Sequence, residues 1–136
     1  PYQVLQLALW PEKREQLHQR IALRFEKMMC SGFLAEMEML KQKYSLSAGM
    51  SSMRSVGYRQ AWDYLEGVLS RELFEDKAIA ATRQLAKRQL TWLRKWQELH
   101  LLNVNFESKQ PVNSENGAVY RKICELIPAK INVRGN

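Results

Sequence analysis

The stretch Lys77-Ala78-Ile79-Ala80-Ala81-Thr82-Arg83-Gln84-Leu85-Ala86-Lys87-Arg88-Gln89-Leu90-Thr91-Trp92-Leu93-Arg94-Lys95-Trp96 holds six basic residues and no acidic one. With Arg83 at zero and a step of about 100° per residue, Lys87 falls at about 40°, Arg94 at about 20°, Lys77 and Lys95 at about 120°, and Arg88 at about 140°. All six cations therefore share one arc of about 140°, which also takes in Gln84 and Thr91. Leu85, Ala86, Leu90, Trp92, Leu93 and Trp96 occupy the opposite side. The spacing predicts a helix docked through its apolar face, with the basic face turned outward and the indoles packed into a helical bundle. Two polar residues interrupt the apolar side, Gln89 at about 240° and Thr82 at about 260°. Each is read either as bonded to nearby backbone or as bordering a cleft where an amide can meet a base edge or a main-chain group.

A solvated surface helix normally alternates Glu with Lys to gain i,i+4 support, whereas six cations without an acid repel one another unless an anionic partner offsets them. Nucleic acid is the first reading of that partner and an anionic membrane surface the second, the second weakened because the apolar side is already assigned to the bundle. The whole chain agrees in sign: 136 residues, 21 Lys and Arg against 14 Asp and Glu, formal net charge +7 and an isoelectric point near 9.6. The size and the 46% hydrophobic content fit one modest core. Six glycines and four prolines exclude collagen-like and low-complexity classes.

No run of eighteen apolar residues occurs, and Pro1-Tyr2-Gln3 carries no basic leader. We therefore expect no membrane association and a cytoplasmic chain. Cys30 and Cys124 form no CxxC, and His18 and His100 have no companion at ligand spacing, so no metal site is expected. The lack of an initiating Met and the apolar opening suggest a portion of something longer.

Outward from the basic stretch, Tyr2 to Leu9 reads as a strand that ends at Trp10-Pro11 and needs a sheet from outside this chain or a partner copy, or else collapses onto helices. From Glu12 the period becomes helical, with Leu17, Ile21, Phe25 and Met28 on one face, up to Ser31-Gly32. Phe33, Met37 and Leu40 continue as a second helix. Ser45 to Val56 reads as loop, Gly57 to Leu65 as helix with Gly67 as its C-terminal cap, and Ser70 as the N-cap of a helix running, with one break, from Arg71 to Leu99. Asn103 to Gly117 reads as linker and Ala118 to Ile127 as a last helix closed by Pro128. The expected fold class is mainly α, a helical bundle with one N-terminal strand-like segment.

A second candidate lies in Ser51-Ser52-Met53-Arg54-Ser55-Val56-Gly57-Tyr58-Arg59-Gln60. A glycine at a helix start lets backbone or ligand approach closely, and Arg54 just ahead of it can meet an anion at the positive helix end. The plainer alternative is a Ser-rich loop with an isolated arginine. No Walker loop, GxGxxG, metal cluster or Ser/His/Asp set appears, so the chain shows no catalytic centre of its own.

Together, Ser52-Met53-Arg54-Ser55-Val56-Gly57-Tyr58-Arg59-Gln60 and Thr82-Arg83-Gln84-Leu85-Ala86-Lys87-Arg88-Gln89-Leu90-Thr91-Trp92-Leu93-Arg94 closely resemble the C-terminal portion of tRNA dimethylallyltransferases, also called tRNA isopentenyltransferases. Pro1-Tyr2-Gln3-Val4, Arg20-Ile21 and Gly32-Phe33-Leu34-Ala35-Glu36 resemble them too, so the likeness covers about residues 1 to 100. Accordingly, we divide the chain into 1–102, the helical portion of the transferase, and 103–136, a poorly matched tail. The resemblance implies an enzyme of P-loop-kinase-like α/β fold that transfers a dimethylallyl group from dimethylallyl pyrophosphate, with Mg2+, to N6 of adenine 37 beside the tRNA anticodon. The family's phosphate-binding loop, its general-base Asp and its anticodon-stem insertion precede the matched region, so this portion is expected to be inactive alone and to bind neither cofactor tightly.

What the resemblance implies for particular residues is narrower. Arg54 matches the arginine near the reacting adenine and departing pyrophosphate, a catalytic role. Arg83, Gln84, Lys87, Arg88, Gln89, Thr91 and Arg94 fall on the family's tRNA-contacting helix, with the anticodon loop as partner. Residues 1–9 are expected to join the central parallel sheet supplied by the missing N-terminal half, or to drive self-association in its absence. The competing expectation is a free-standing basic helical RNA-binding module; a weaker third is a helical domain whose cations meet an acidic protein.

Overall fold

The structure, a computed structural model, describes residues 4–106 and 117–127. Expectations for Pro1 to Gln3, for most of the linker and for Pro128 onward lie outside the described residues. The elements run β1 (Gln6–Pro11), α1 (Arg14–Cys30), α2 (Phe33–Lys43), α3 (Tyr58–Leu65), α4 (Arg71–Leu93), β2 (Leu99–Val104) and α5 (Ala118–Leu126). They are mostly helical, with a two-stranded parallel sheet. The chain separates into two compact units, one spanning His18–Gln89 and the other drawing on residues up to Leu17 and from Leu90 onward.

In the His18–Gln89 unit the core gathers Phe25, Phe33, Met37, Met53, Ala61, Leu69, Phe74 and Ala78. Phe74 from α4 is fully buried, its ring stacked on Tyr64 of α3 with centroids 5.3 Å apart and edge-on to Phe25 of α1 at 5.7 Å. The punctuation between these helices follows backbone chemistry. At the end of α3, Gly67 sits at φ 75. Its N–H donates to the Tyr64 carbonyl at 3.0 Å, and that of Val68 donates to Asp63 at 2.9 Å. These two bonds satisfy the last helical carbonyls with a glycine in the left-handed conformation. Ser70 then caps α4, accepting the Leu73 N–H on its Oγ at 3.3 Å.

The other unit corrects the expectation of a lone strand. β1 pairs in parallel with β2, from Gln6 opposite Leu99 to Pro11 opposite Val104. The helix expected to reach Leu99 stops at Leu93, and Glu98 takes φ 59, redirecting the chain into β2. Apolar residues Leu99, Leu101, Leu102 and Val104 do not distinguish helix from strand over so short a run, and the pairing partner lies 93 residues away. Parallel pairing needs a long crossover, which α1 to α4 provide. The exit of β2 is fastened by Gln16. Its buried side chain donates through Nε2 to Asn105 Oδ1 at 3.1 Å, and its Oε1 accepts the Phe106 N–H at 3.4 Å. α5 packs against β2.

Candidate nucleic-acid interface

The Ser-rich segment is a series of turns held by one buried side chain. Met53 lies in the core, 3% exposed, and the next residue, Arg54, is exposed. The Arg54 N–H donates to the Met50 carbonyl at 3.1 Å, and the Ser55 hydroxyl donates to the Ser52 carbonyl. Among the described residues the Arg54 guanidinium has no carboxylate within ion-pair distance. Burial of the preceding methionine therefore sets where this cation is displayed, and nothing in its own unit neutralises it.

Gly57, at φ 95, starts α3 in a backbone conformation that side-chain-bearing residues rarely adopt. Its N–H donates to Oε1 of the buried Gln60 at 2.9 Å, satisfying one of the orphan donors of the first turn. The spacing of three residues is what lets the Gln60 amide reach back to the helix start. Tyr58, next in line, donates its hydroxyl to Glu36 of α2 and tilts its ring against Phe33 at 5.7 Å. The hydrogen bond to Glu36, then burial, then the carboxylate charge hold the Tyr58 hydroxyl above its ordinary pKa. A folded-state pKa raised above the unfolded one contributes stability that is complete below the unfolded value, about pH 10, and is lost as pH rises through the folded value. Thermal melts of the chain and of Tyr58→Phe between pH 8 and 11 are expected to converge above about pH 10. A difference that stays constant with pH would remove this bond as the latch between α2 and α3.

Along α4, Arg83, Gln84, Lys87, Arg88 and Gln89 of the His18–Gln89 unit are all exposed, while Leu85 and Ala86 are half-buried. The basic side of the wheel is thus the solvent side. The ion pairs given among the described residues are Lys41 with Glu66, Arg71 with Glu75 and Lys122 with Glu125, and none involves Lys77, Arg83, Arg88 or Lys95. Thr82 takes the plainer of its two readings, its hydroxyl donating to the Ala78 carbonyl at 2.8 Å. Gln89 instead is exposed.

In the other unit Thr91 is exposed. Arg94 lies one residue past α4, its guanidinium 5.2 Å above the Trp10 ring. This unit also overturns one expectation: Trp92 and Trp96 do not pack into a bundle but are 62% and 44% exposed. They touch each other edge to face with centroids 4.5 Å apart. Helical periodicity placed them opposite the cations, but it carries no information on what lies across from that side. Past Leu93 the turn also tightens, with Lys95 N–H donating to Trp92 O at 3.0 Å and Trp96 N–H to Leu93 O at 3.2 Å, so the 100° step no longer applies.

Fold and site together define a helical protein with a parallel strand pair and a basic helix face free of acids from Lys77 onward. More particularly, residues 1–96 match the IPP transferase family, and the chain belongs to it. It is 53% identical over 105 residues to tRNA dimethylallyltransferase 2 of Hahella chejuensis (strain KCTC 2396), a match covering 77% of this chain and 32% of that protein. Two solved structures are similar. One is a tRNA delta(2)-isopentenylpyrophosphate transferase from Staphylococcus epidermidis, with 31% identity, 76% of this chain, 33% of that one and a TM-score of 0.69. The other is the full-length tRNA isopentenylpyrophosphate transferase from Bacillus halodurans, with 29% identity, 79% of this chain, 35% of that one and a TM-score of 0.71. The chain thus spans about a third of the length of these relatives. No helix among the described residues is long and apolar enough to cross a membrane.

Proposed function

We propose that this chain is the tRNA-gripping part of a cytoplasmic enzyme that transfers a dimethylallyl group from dimethylallyl pyrophosphate to N6 of adenine 37. The observation that carries the reading is the exposed basic face of α4, free of acids from Lys77 onward, in a chain that belongs to the IPP transferase family. In this reading Arg83, Gln84, Lys87, Arg88, Gln89, Thr91 and Arg94 hold the anticodon loop. Contacts of cations with phosphates position an RNA without reading its sequence. Reaching N6 requires the base to leave its stack, so holding the flanking backbone belongs to the reaction itself. Arg54 stabilises charge on the departing pyrophosphate oxygens as the carbon–oxygen bond breaks.

The P-loop, the general base and the rest of the parallel sheet belong, in this reading, to the N-terminal half of the enzyme, and residues 1–102 are the portion that completes it. No cluster of His, Cys, Asp or Glu suited to a metal occurs among the described residues. In this reading Mg2+ enters with the pyrophosphate, whose oxygens supply much of its coordination. The β1–β2 sheet has two strands, and Leu9 and Leu101 are 53% and 46% exposed on it. Strand pairs of that kind are marginal alone, which supports self-association through residues 1–9 when the other half is missing.

The test is a titration of this chain with a fluorescent anticodon stem-loop bearing adenine 37 and with a scrambled hairpin, at several salt concentrations. Binding to both is expected, with affinity falling steeply with salt and at most a small preference for the anticodon loop. Arg83→Gln combined with Arg88→Gln should flatten the salt slope by about 0.7 to 0.9 for each phosphate contact removed. Absence of binding at low salt would overturn the assignment of this face to RNA.

A further inference from the structure

Gln60 is buried inside the His18–Gln89 unit, 7% exposed, and its amide oxygen accepts the Gly57 N–H at 2.9 Å. Helix starts are commonly fastened by two side chains, one on the first residue and one three positions on, each bonding to the other's N–H. Gly57 has no side chain, so Gln60 alone supplies that fastening. Gly57 stands at φ 95, where the chain turns from the loop into α3. Two bonds hold this corner: Gln60 takes the Gly57 N–H, and the Ser55 carbonyl accepts the Arg59 N–H at 3.1 Å. On the other side of Arg54 the chain is held by Met53 in the core and by the Arg54 N–H on the Met50 carbonyl. Arg54 therefore lies on a short span between a buried methionine and a buried glutamine bond. Without the Gln60 acceptor the Gly57 N–H would be left buried and unbonded, a cost the corner escapes only by moving.

A group that stabilises transition-state charge has to be held within about 0.5 Å of its productive place, and the residues behind it do the holding. A long, flexible arginine is aimed only as well as its backbone is fixed. We infer that Gln60 is a positioning residue: its bond to the Gly57 N–H fixes the backbone from which Arg54 meets the oxygens of the departing pyrophosphate, an assignment that rests on the Arg54 role proposed above. Buried as it is, Gln60 meets neither tRNA nor pyrophosphate, and its effect passes through Arg54. It therefore acts on the step in which the carbon–oxygen bond breaks and not on tRNA binding, which belongs to the α4 cations.

The experiment is a double-substitution cycle in the intact enzyme. It reads single-turnover prenyl transfer from dimethylallyl pyrophosphate to an anticodon stem-loop bearing adenine 37, and equilibrium binding of the same stem-loop. Gln60→Met keeps the volume and removes the acceptor, whereas Gln60→Glu keeps an acceptor at a helix start, where negative charge is favoured. Gln60→Met is expected to slow transfer about 10- to 100-fold with stem-loop affinity nearly unchanged, and Gln60→Glu to recover most of the rate. In an Arg54→Ala background the same Gln60→Met change should cost nothing further, because the group it positions is gone. An equal fall in both backgrounds would overturn the positioning role. So would an unslowed Gln60→Met enzyme, weaker stem-loop binding at an unchanged rate, or Gln60→Glu as slow as Gln60→Met. If Gln60→Met does not melt cooperatively, Gln60→Asn, one methylene too short to reach the Gly57 N–H, carries the same cycle with the same expected results. Transfer at the unaltered rate by Arg54→Ala would instead overturn the Arg54 role itself, and the positioning role with it.

Discussion

Arg54→Ala, made in the intact enzyme, is expected to slow prenyl transfer by about 100- to 1,000-fold while tRNA affinity stays nearly unchanged. That range is what removal of one preorganised group facing developing transition-state charge typically costs. The asymmetry follows from geometry on both sides. Arg54 stands in turns anchored by buried Met53 and by the Gly57–Gln60 bond, apart in sequence from the α4 cations assigned to tRNA. Its guanidinium has no carboxylate partner among the described residues, so replacing it strands no buried charge. An interaction made only in the transition state lowers kcat and kcat/KM together without weakening ground-state binding. Single-turnover transfer and equilibrium tRNA binding, measured on the same preparation, decide the matter; an equal fall in both would make Arg54 a tRNA contact and not a catalytic residue.

Phe74→Ala is expected to destabilise this chain by about 3 to 5 kcal/mol, the usual cost of deleting a buried aromatic ring. Phe74 is the point where three helices meet, through Phe25 of α1, Tyr64 of α3 and its own α4. Urea unfolding followed by far-ultraviolet circular dichroism measures the effect. Phe74→Leu, which refills much of the volume, should lose markedly less. A loss of under about 1 kcal/mol in the alanine form would mean that α4 is held in place by other contacts. Because the basic face and Phe74 share α4, this variant also separates loss of helix placement from loss of charge. The double arginine variant should leave unfolding unchanged, while Phe74→Ala should not.

Much of the architecture was legible in the residues. The helices of the His18–Gln89 unit begin and end where local chemistry dictates: Ser70 as a cap, Gly67 and Gly32 at positive φ, and apolar residues at helical spacing through Phe25, Phe33, Met37 and Phe74. The outward basic face of α4 followed from periodicity, because cations on one arc cannot be buried without partners. The displayed Arg54 followed only in part. Its place after a serine-rich turn was visible, but that Met53 rather than Arg54 turns inward was not.

Three features escaped the sequence because each depends on distant chain. β2 exists as a strand because β1, 93 residues away in the paired register, supplies its hydrogen bonds. Local propensity between Leu99 and Val104 is too weak to choose. Trp92 and Trp96 fall on the apolar side of the helical wheel, yet a wheel assigns sides and not neighbours, and only the tertiary arrangement leaves both indoles open. The Tyr58–Glu36 bond links α2 to α3 across 22 residues, a pairing that no spacing rule picks out. By itself the sequence determined the local turns, the helix faces and the family, since these rest on contacts within a few residues and on long matched motifs. Tertiary structure alone decided strand pairing and which aromatic side chains reach solvent, since those depend on segments that meet only after folding.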